Sequence, residues 1–271
     1  MKPLLYVTQT ADGTPSGAFE SVREAATGGT SHGLIERYVL EGSVEHAQAL
    51  PKESYFGTFF ELMKSAVSVG GSELGLGMTL FSLVVSTRAT TIIETGRYKG
   101  FSGLALASGL KLLDDPTWMD LPGFRSRPEV NYEELEKPKT RRLYSYDIAP
   151  TQESEALFKR AGLDDYIIRI NGDSLKAPLP PEPQIDIAFI DGDHGYDACE
   201  ADINRFNYIV KPGGLLIIHD YFGWYDHHGH NKSPIKQVAD KITQNRFKQH
   251  LLIDTGYPSL MILRKPNPVV D

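Results

Sequence analysis

From residue 90 onward the chain alternates short apolar segments with helical segments, and this alternation constrains the fold more than any other feature. The apolar segments contain little polar alternation, and residues 185–190, IDIAFI, are almost entirely apolar. Strands that are apolar on both faces are typical of parallel sheets covered by helices on each side. The pattern therefore predicts a doubly wound α/β fold.

Seven apolar segments predict a seven-stranded sheet, whose last two strands are expected at residues 247–254 and 259–265. Only the segment TGYP separates these two strands, which is too short for a parallel crossover. The sequence therefore predicts an antiparallel hairpin at the carboxyl end of a domain spanning residues 86–271. A stretch rich in proline and charge interrupts this domain at residues 114–141. We favour a solvated insertion there, with a substrate lid or subunit contact as the alternative.

Residues 1–85 are predicted to form a helical extension or cap. Three segments have apolar residues at helical spacing, namely residues 31–42, 54–69 and 72–88. Because these helices carry apolar faces, we expect them to pair subunits in a homo-oligomer.

Composition narrows the class of partner and the compartment. Lys and Arg total 28 against 35 Asp and Glu, which gives a net charge of −7 and argues against a nucleic-acid partner. One cysteine, Cys199, cannot form an internal disulfide, so a reducing, intracellular compartment is the default. We find no signal peptide or membrane-length apolar run, and we therefore expect a cytoplasmic protein without a membrane partner.

A glycine-containing loop at residues 93–102 closes one predicted strand and opens the next helix. Gly96 and Gly100 allow a tight turn and a close approach to a ligand, and the helix that follows offers free N–H groups. The spacing is G-x-x-x-G, whereas a dinucleotide-binding loop would show G-x-G-x-x-G. The loop favours an adenosine cofactor other than NAD; a plain strand-to-helix turn is the alternative.

Two acidic residues end the next two predicted strands. Asp147 is positioned to accept the ribose hydroxyls of an adenosine cofactor, although a carboxylate there also suits the start of a helix. Asp173 ends the following strand and could reach an adenine amino group, or it could be a turn residue.

Carboxylates and histidines follow the two strands after that. Asp191, His219 and Asp220 come directly after apolar strands, and the carboxyl ends of parallel strands meet at one edge of a sheet. No lysine or arginine in either motif neutralises the carboxylates, so we expect a divalent cation between them. Oxygen ligands suit Mg²⁺ or Mn²⁺, while a histidine shifts the preference towards Mn²⁺, Fe²⁺ or Zn²⁺. His194, three residues after Asp191, is the candidate general base.

A second histidine cluster, His227, His228 and His230, lies in a polar loop with glycine and proline. Neither the spacing of metal ligands nor a partner cysteine accompanies these residues. We therefore expect a loop near the substrate opening rather than a second metal site.

The motifs IIETGRYKGFSGLALA, IDIAFIDGDHGY and KPGGLLIIHDY together resemble those of class I S-adenosylmethionine-dependent methyltransferases, which have a Rossmann-like sheet. The sequence is most similar to the metal-dependent O-methyltransferases, both the catechol type and those that methylate antibiotic sugars. The resemblance covers residues 90–265, with His219 standing where relatives usually carry another carboxylate. It implies Asp191 and Asp220 as metal ligands, with His194 where a base stands. It also implies that the cofactor is contacted by Glu94, Gly96, Tyr98, Ser102, Asp147, Asp173 and Ser174.

The activity implied is a S-adenosylmethionine-dependent O-methyltransferase that acts on a hydroxyl of a small molecule, either a natural-product sugar or a polyphenol. A divalent metal, Mg²⁺ or Mn²⁺, is the expected second cofactor. Two alternatives remain open: a component related to the cephalosporin-modifying methyltransferases and hydroxylases, and a cofactor-binding partner without catalysis.

Overall fold

The computed structural model describes residues 4–9, 15–19, 35–39, 59, 62–63, 74–114, 140–221, 233–246, 250–254 and 259–267. These residues fall into two compact units, residues 1–58 and residues 59–271. The histidine cluster at residues 227–230 and nearly all of the insertion at residues 114–141 lie outside the described residues.

In the first unit, three strands form an antiparallel sheet: β1 (Leu4–Gln9), β2 (Pro15–Phe19) and β3 (Ile35–Val39). The strand order is β2-β1-β3. The helix predicted at residues 31–42 is therefore wrong, and the helical extension is not helical where residues 4–39 are described. The segment IERYV combines β-branched and aromatic residues, which favour a strand, and its apolar run is too short for periodicity to distinguish the two structures.

Of the second predicted helix, at residues 54–69, only Phe59, Leu62 and Met63 are described, and these three are helical. The third predicted helix is confirmed as α1 (Leu74–Thr87). It belongs to the second unit.

The second unit is built on a seven-stranded sheet, which confirms the predicted fold class. Its elements after α1 are β4 (Thr91–Thr95), α2 (Phe101–Asp114), β5 (Arg142–Asp147), α3 (Gln152–Ala161), β6 (Ile167–Asn171), β7 (Ile185–Ile190), α4 (Tyr196–Ile209), β8 (Val210–His219), α5 (Pro234–Arg246), β9 (His250–Asp254) and β10 (Ser259–Arg264). The strand order is β6-β5-β4-β7-β8-β10-β9. Strands β4 to β8 are parallel, whereas β10 is antiparallel to both β8 and β9, as the short connection predicts.

Helices pack on both faces of this sheet because its strands are apolar on both. On one face, Ile203 and Phe206 of α4 and Val238 of α5 pack with Ile93 and Ile218 of the sheet. Glycines on α2 allow close packing on the other face, where a Cβ at Gly103 would lie 3.1 Å from Glu94 Oε2. The packed helices leave the carboxyl ends of the parallel strands at one common edge. No described helix is both long enough and apolar enough to cross a membrane.

A buried polar network lies beneath that edge. Glu94 pairs in register with Ser145 of β5, and its Oε2 accepts a hydrogen bond of 2.6 Å from the Ser145 hydroxyl, while Oε1 accepts one of 2.5 Å from Ser102. Arg97 is 1% exposed, and it donates to the Ser145 carbonyl at 3.0 Å and to Asn171 Oδ1 at 2.6 Å. The network therefore ties the loop after β4 to the ends of β5 and β6.

Burial dominates the electrostatics of Glu94 in this network. Loss of solvation raises the pKa of Glu94 from 4.5 to about 7, although the hydrogen bonds from Ser102 and Ser145 and the charge of Arg97 act in the opposite direction. Between these two pH values the folded state binds more protons than the unfolded state, so stability falls as pH rises through the window.

We predict that Glu94→Gln removes this pH dependence. Relative to the variant, the wild type should lose about 3 kcal/mol of unfolding free energy between pH 4.5 and pH 8, because its carboxyl must ionise inside the protein. Urea denaturation of both proteins at four pH values measures the difference. Glu153→Gln, which changes an exposed carboxylate on α3, should follow the wild type. Parallel stability curves for wild type and Glu94→Gln would show that Glu94 titrates normally.

Candidate active site

A cavity of about 630 Å³ opens at the carboxyl edge of the parallel strands. Residues that follow β4, β5, β6, β7 and β8 line it. Nine of the predicted site residues are among them: Gly96, Tyr98, Asp147, Asp173, Ser174, Asp191, His194, His219 and Asp220. Such a volume is typical of sites for small molecules and cofactors.

Gly96 brings the loop after β4 against the loop after β7. Its φ is 81°, and a Cβ there would lie 1.8 Å from the carbonyl oxygen of Asp191. On the other side, the N–H of Gly96 donates to the Tyr146 carbonyl at 3.0 Å. Only glycine fits this position, because a side chain would collide with backbone that cannot move aside.

Asp147 lines the cavity at the end of β5 and accepts two backbone hydrogen bonds. Its Oδ2 accepts a hydrogen bond of 2.6 Å from the N–H of Tyr98, and its Oδ1 accepts one of 2.6 Å from the N–H of Ala149. Tyr98 has a φ of 43°, so this bond helps to hold a conformation that is uncommon for a residue with a side chain. Each carboxylate oxygen of Asp147 keeps a lone pair for a ligand hydroxyl.

Asp173 and Ser174 line the cavity beyond β6. Asp173 Oδ1 accepts from the N–H of Leu175 at 2.9 Å, and Oδ2 pairs with Lys176 Nζ at 2.9 Å. The Lys176 contact and the Leu175 bond lower the pKa of Asp173. Ser174 Oγ donates to Asp202 Oδ1 at 2.6 Å.

Glu94 and Ser102 do not line the cavity, although the resemblance implies them as cofactor contacts. Glu94 is fully buried, and both residues lie behind the glycine loop, in the network described above. Their hydrogen bonds support the loop, and their contact with a cofactor stays a prediction.

Sequence reasoning missed two buried charged residues around the site. The position of Arg97 between Gly96 and Gly100 of the loop could have pointed to its role in the sequence. Asp202 lies on the buried side of α4 with Cys199 and Ile203. A carboxylate at an otherwise apolar helix position could have identified it from the sequence. Both residues bond to groups on other strands or loops, so their roles depend on tertiary contacts.

Asp191, His219 and Asp220 converge at the other end of the cavity. Ile190 pairs in register with Ile218, so the residues that follow these two, Asp191 and His219, lie side by side. His219 Nδ1 is 2.8 Å from Asp191 Oδ1 and 3.4 Å from Asp220 Oδ2. One possible ligand atom from each of the three residues falls within 4.8 Å of the others.

His219 contacts both of these carboxylates. Burial alone would lower the pKa of His219, but the charges and hydrogen bonds of Asp191 and Asp220 outweigh it and raise the pKa to about 10. A cation bound by this group would displace that proton, because a histidine binds a metal through a deprotonated nitrogen. The case for a metal ion rests on the donors, because two carboxylates and one imidazole nitrogen suit Mn²⁺, Fe²⁺ or Zn²⁺.

His194 lies over this group with its side chain 42% exposed. Its Nε2 is 3.6 Å from Asp191 Oδ1 and 3.6 Å from Asp220 Oδ2. The nearby carboxylate of Asp191 raises the pKa of His194, while burial opposes that shift. A titratable nitrogen is thus held at the surface of the cavity beside the carboxylates.

Comparisons with known proteins agree with this geometry. Residues 93–221 match a family model described as a methyltransferase domain. No curated protein sequence matches the chain. Similar solved structures include an O-methyltransferase from Bacillus cereus in complex with SAH, at 19% identity and a TM-score of 0.55, covering 80% of this chain and 93% of that one.

Two further structures have the same fold. The O-methyltransferase TomG from Streptomyces achromogenes, involved in tomaymycin synthesis and solved with SAM, is 16% identical with a TM-score of 0.55, covering 83% of this chain and 95% of its own. The SAH-bound methyltransferase PaMTH1 from Podospora anserina is 14% identical with a TM-score of 0.54, covering 85% and 98%. Residues 93–221 therefore match the methyltransferase-domain family model, and the second unit has the fold of these methyltransferase structures, which were solved with SAM or SAH.

Proposed function

We propose that this chain is an S-adenosylmethionine-dependent O-methyltransferase that uses a divalent cation and methylates a hydroxyl of a small molecule. The observation that carries the proposal is one shared cavity. Asp191, His194, His219 and Asp220 lie at one end, and the glycine loop and Asp147 line the same space. A cofactor and an acceptor that bind there would meet without any rearrangement of the strands.

The glycine loop and Asp147 would hold the cofactor. Gly96 lets the loop pack against the Asp191 backbone and lines the cavity, and the free lone pairs of Asp147 would accept the two ribose hydroxyls. S-adenosylmethionine supplies a methyl group on a positively charged sulfur. The negative charges of the acidic residues in the cavity complement this positive charge.

Asp191, His219 and Asp220 would hold the cation through two carboxylates and His219 Nδ1. A bound divalent ion lowers the pKa of a hydroxyl that approaches it. His194 lines the cavity with its Nε2 3.6 Å from both carboxylates, and it would accept the proton of the acceptor hydroxyl. Its contacts with Asp191 and Asp220 orient the ring for that transfer.

The same residues support the acceptor class that we propose. A sugar diol or a polyphenol offers two adjacent oxygens, one for the cation and one for the base. TomG, a structural neighbour that is described as acting in tomaymycin synthesis, supports a natural product as the acceptor.

Cofactor binding tests the first part of the proposal. We expect micromolar binding of S-adenosylmethionine by isothermal titration. Asp147→Ala should weaken it by about 1–3 kcal/mol, the usual loss when a hydrogen bond to a charged group is removed. Asp147→Asn keeps one acceptor oxygen, so its affinity for the cofactor should lie between those of the wild type and Asp147→Ala. Equal affinity in all three would remove Asp147 from the site.

Metal dependence tests the second part. Exhaustive chelation should abolish methyl transfer, and separate additions of Mn²⁺, Mg²⁺, Fe²⁺ and Zn²⁺ should identify the ion that restores it. Asp220→Asn should weaken metal binding by about 10-fold or more, with little change in cofactor affinity. Asp193→Asn is the matched control, because the Asp193 carboxylate accepts from the N–H of Gly195 and not from the cluster. Full turnover after chelation would contradict the metal assignment.

Turnover of His194→Ala tests the base. The variant should lose about 10²–10⁴-fold in kcat, the range for removal of a general base, because no other group takes the hydroxyl proton. Cofactor and metal affinities, measured by titration calorimetry, should stay within about twofold of the wild type, since no direct ligand is lost. Wild-type kcat in this variant would leave His194 with no part in proton transfer.

A further inference from the structure

Asp220 leaves the sheet in a backbone conformation that few residues with side chains adopt. Its φ is 53°, in the left-handed region, directly after β8 ends at His219. In a continuing strand, consecutive side chains would point to opposite faces of the sheet. The left-handed turn breaks this alternation, and Asp220 Oδ2 lies 3.4 Å from His219 Nδ1, with Asp191 close to both. The geometry of the proposed cation site therefore depends on the φ of Asp220.

Contacts with α5 fix the residue that follows this turn. A strained backbone conformation persists only where the surrounding structure overdetermines it. Tyr221 is 4% exposed, and its hydroxyl donates a hydrogen bond of 2.5 Å to Asp240 Oδ1. Lys236 Nζ donates to the same hydroxyl at 3.1 Å and also pairs with Asp240 Oδ2. The residue after Asp220 is thus held by side chains on two successive turns of one helix.

The start of α5 is attached to Asp220 itself. Ser233 directly precedes the helix, and its Oγ accepts a hydrogen bond of 3.2 Å from the N–H of Lys236, as the N-cap of a helix does. The same hydroxyl, in a residue that is 5% exposed, donates a long hydrogen bond of 3.4 Å to the Asp220 carbonyl. Asp220 is therefore held from both sides, by α5 after it and by β8 before it, where His219 pairs in register with Leu260.

We propose that α5 is the element that holds Asp220 in its left-handed conformation and thereby directs the carboxylate towards the cation. Three positioning residues make the attachment: Tyr221, Ser233 and Asp240. None of the three is among the described residues that line the cavity, so they act through Asp220 rather than on a ligand. The inference rests on the proposed function, because it requires a cation bound by Asp220. Their loss lowers affinity for the cation and spares the glycine loop, which follows β4, two strands away from β8.

Calorimetric titration of the full chain with Mn²⁺ tests the proposal. Tyr221→Phe and Asp240→Ala remove the two ends of the anchoring hydrogen bond. Each should weaken Mn²⁺ binding about 10-fold, the lower end of the range for residues that orient metal ligands. In Asp240→Asn the amide oxygen still accepts from Tyr221, so the affinity should stay within about threefold of the wild type. Ser233→Ala should also weaken binding, whereas Ser233→Thr, which keeps the hydroxyl, should retain it.

Two readouts separate positioning from a general loss of stability. Affinity for S-adenosylmethionine, measured in the same way, should stay within about twofold of the wild type in every variant. The visible absorption of bound Co²⁺, which depends on the arrangement of its ligands, should change in Tyr221→Phe even at saturating metal. Glu200→Ala is the matched control, because it removes a carboxylate that pairs with Lys241 of α5 at 2.6 Å. This variant should bind Mn²⁺ as the wild type does.

Wild-type Mn²⁺ affinity in both Tyr221→Phe and Asp240→Ala would overturn the inference and leave the proposed function standing. An equal loss of affinity for Mn²⁺ and for S-adenosylmethionine would also overturn it, because α5 would then stabilise the whole site. Failure of the wild type to bind Mn²⁺ and Co²⁺ would overturn both the inference and the proposed cation. Should Tyr221→Phe fail to fold, Asp240→Ala decides alone, since the Asp240 side chain is 37% exposed.

Discussion

The contact of Gly96 with the carbonyl oxygen of Asp191 is the constraint on which the site depends. A Cβ at residue 96 would lie 1.8 Å from that oxygen, so the loops after β4 and β7 can meet only because residue 96 has no side chain. The same contact brings the glycine loop beside Asp191. A cofactor loop and a carboxylate cluster that belong to separate strands thereby line one cavity.

Buried charges hold this arrangement from beneath. Glu94, Ser145 and Arg97 link the ends of three strands through hydrogen bonds, and none of them lines the cavity. Buried polar groups are costly when unpaired, so the hydrogen bonds of this network favour one arrangement of the loops over others. The raised pKa of Glu94 shows the cost of that burial.

The cavity changes in chemistry along its length. At the β8 end, each of two histidines has a ring nitrogen within 3.6 Å of the same two carboxylates. At the β6 end, Ser174 donates a hydrogen bond of 2.6 Å to Asp202. Strand order alone sets this gradient, because each strand end contributes its own loop and the parallel sheet aligns those ends at one edge.

The sequence by itself determined the sheet and the residues at its edge. Apolar runs such as residues 185–190 and 215–218 define buried strands wherever they fold, and residues directly after parallel strands must lie at the same edge. Asp147, Asp191 and Asp220 were predicted in this way. The strand β3 was mispredicted as a helix, because residues 35–39 are too few for periodicity to distinguish a helix from a strand.

Tertiary structure decided what each of these residues contacts. Glu94 is buried in a hydrogen-bond network, His219 contacts the carboxylates of Asp191 and Asp220, and Asp202 on α4 accepts a hydrogen bond from Ser174, 28 residues away. Such contacts depend on the registers of neighbouring strands and on the packing of helices over them. A local pattern of residues contains information on neither the registers nor the packing. The direction of a hydrogen bond and the burial of a side chain are set only when distant segments meet.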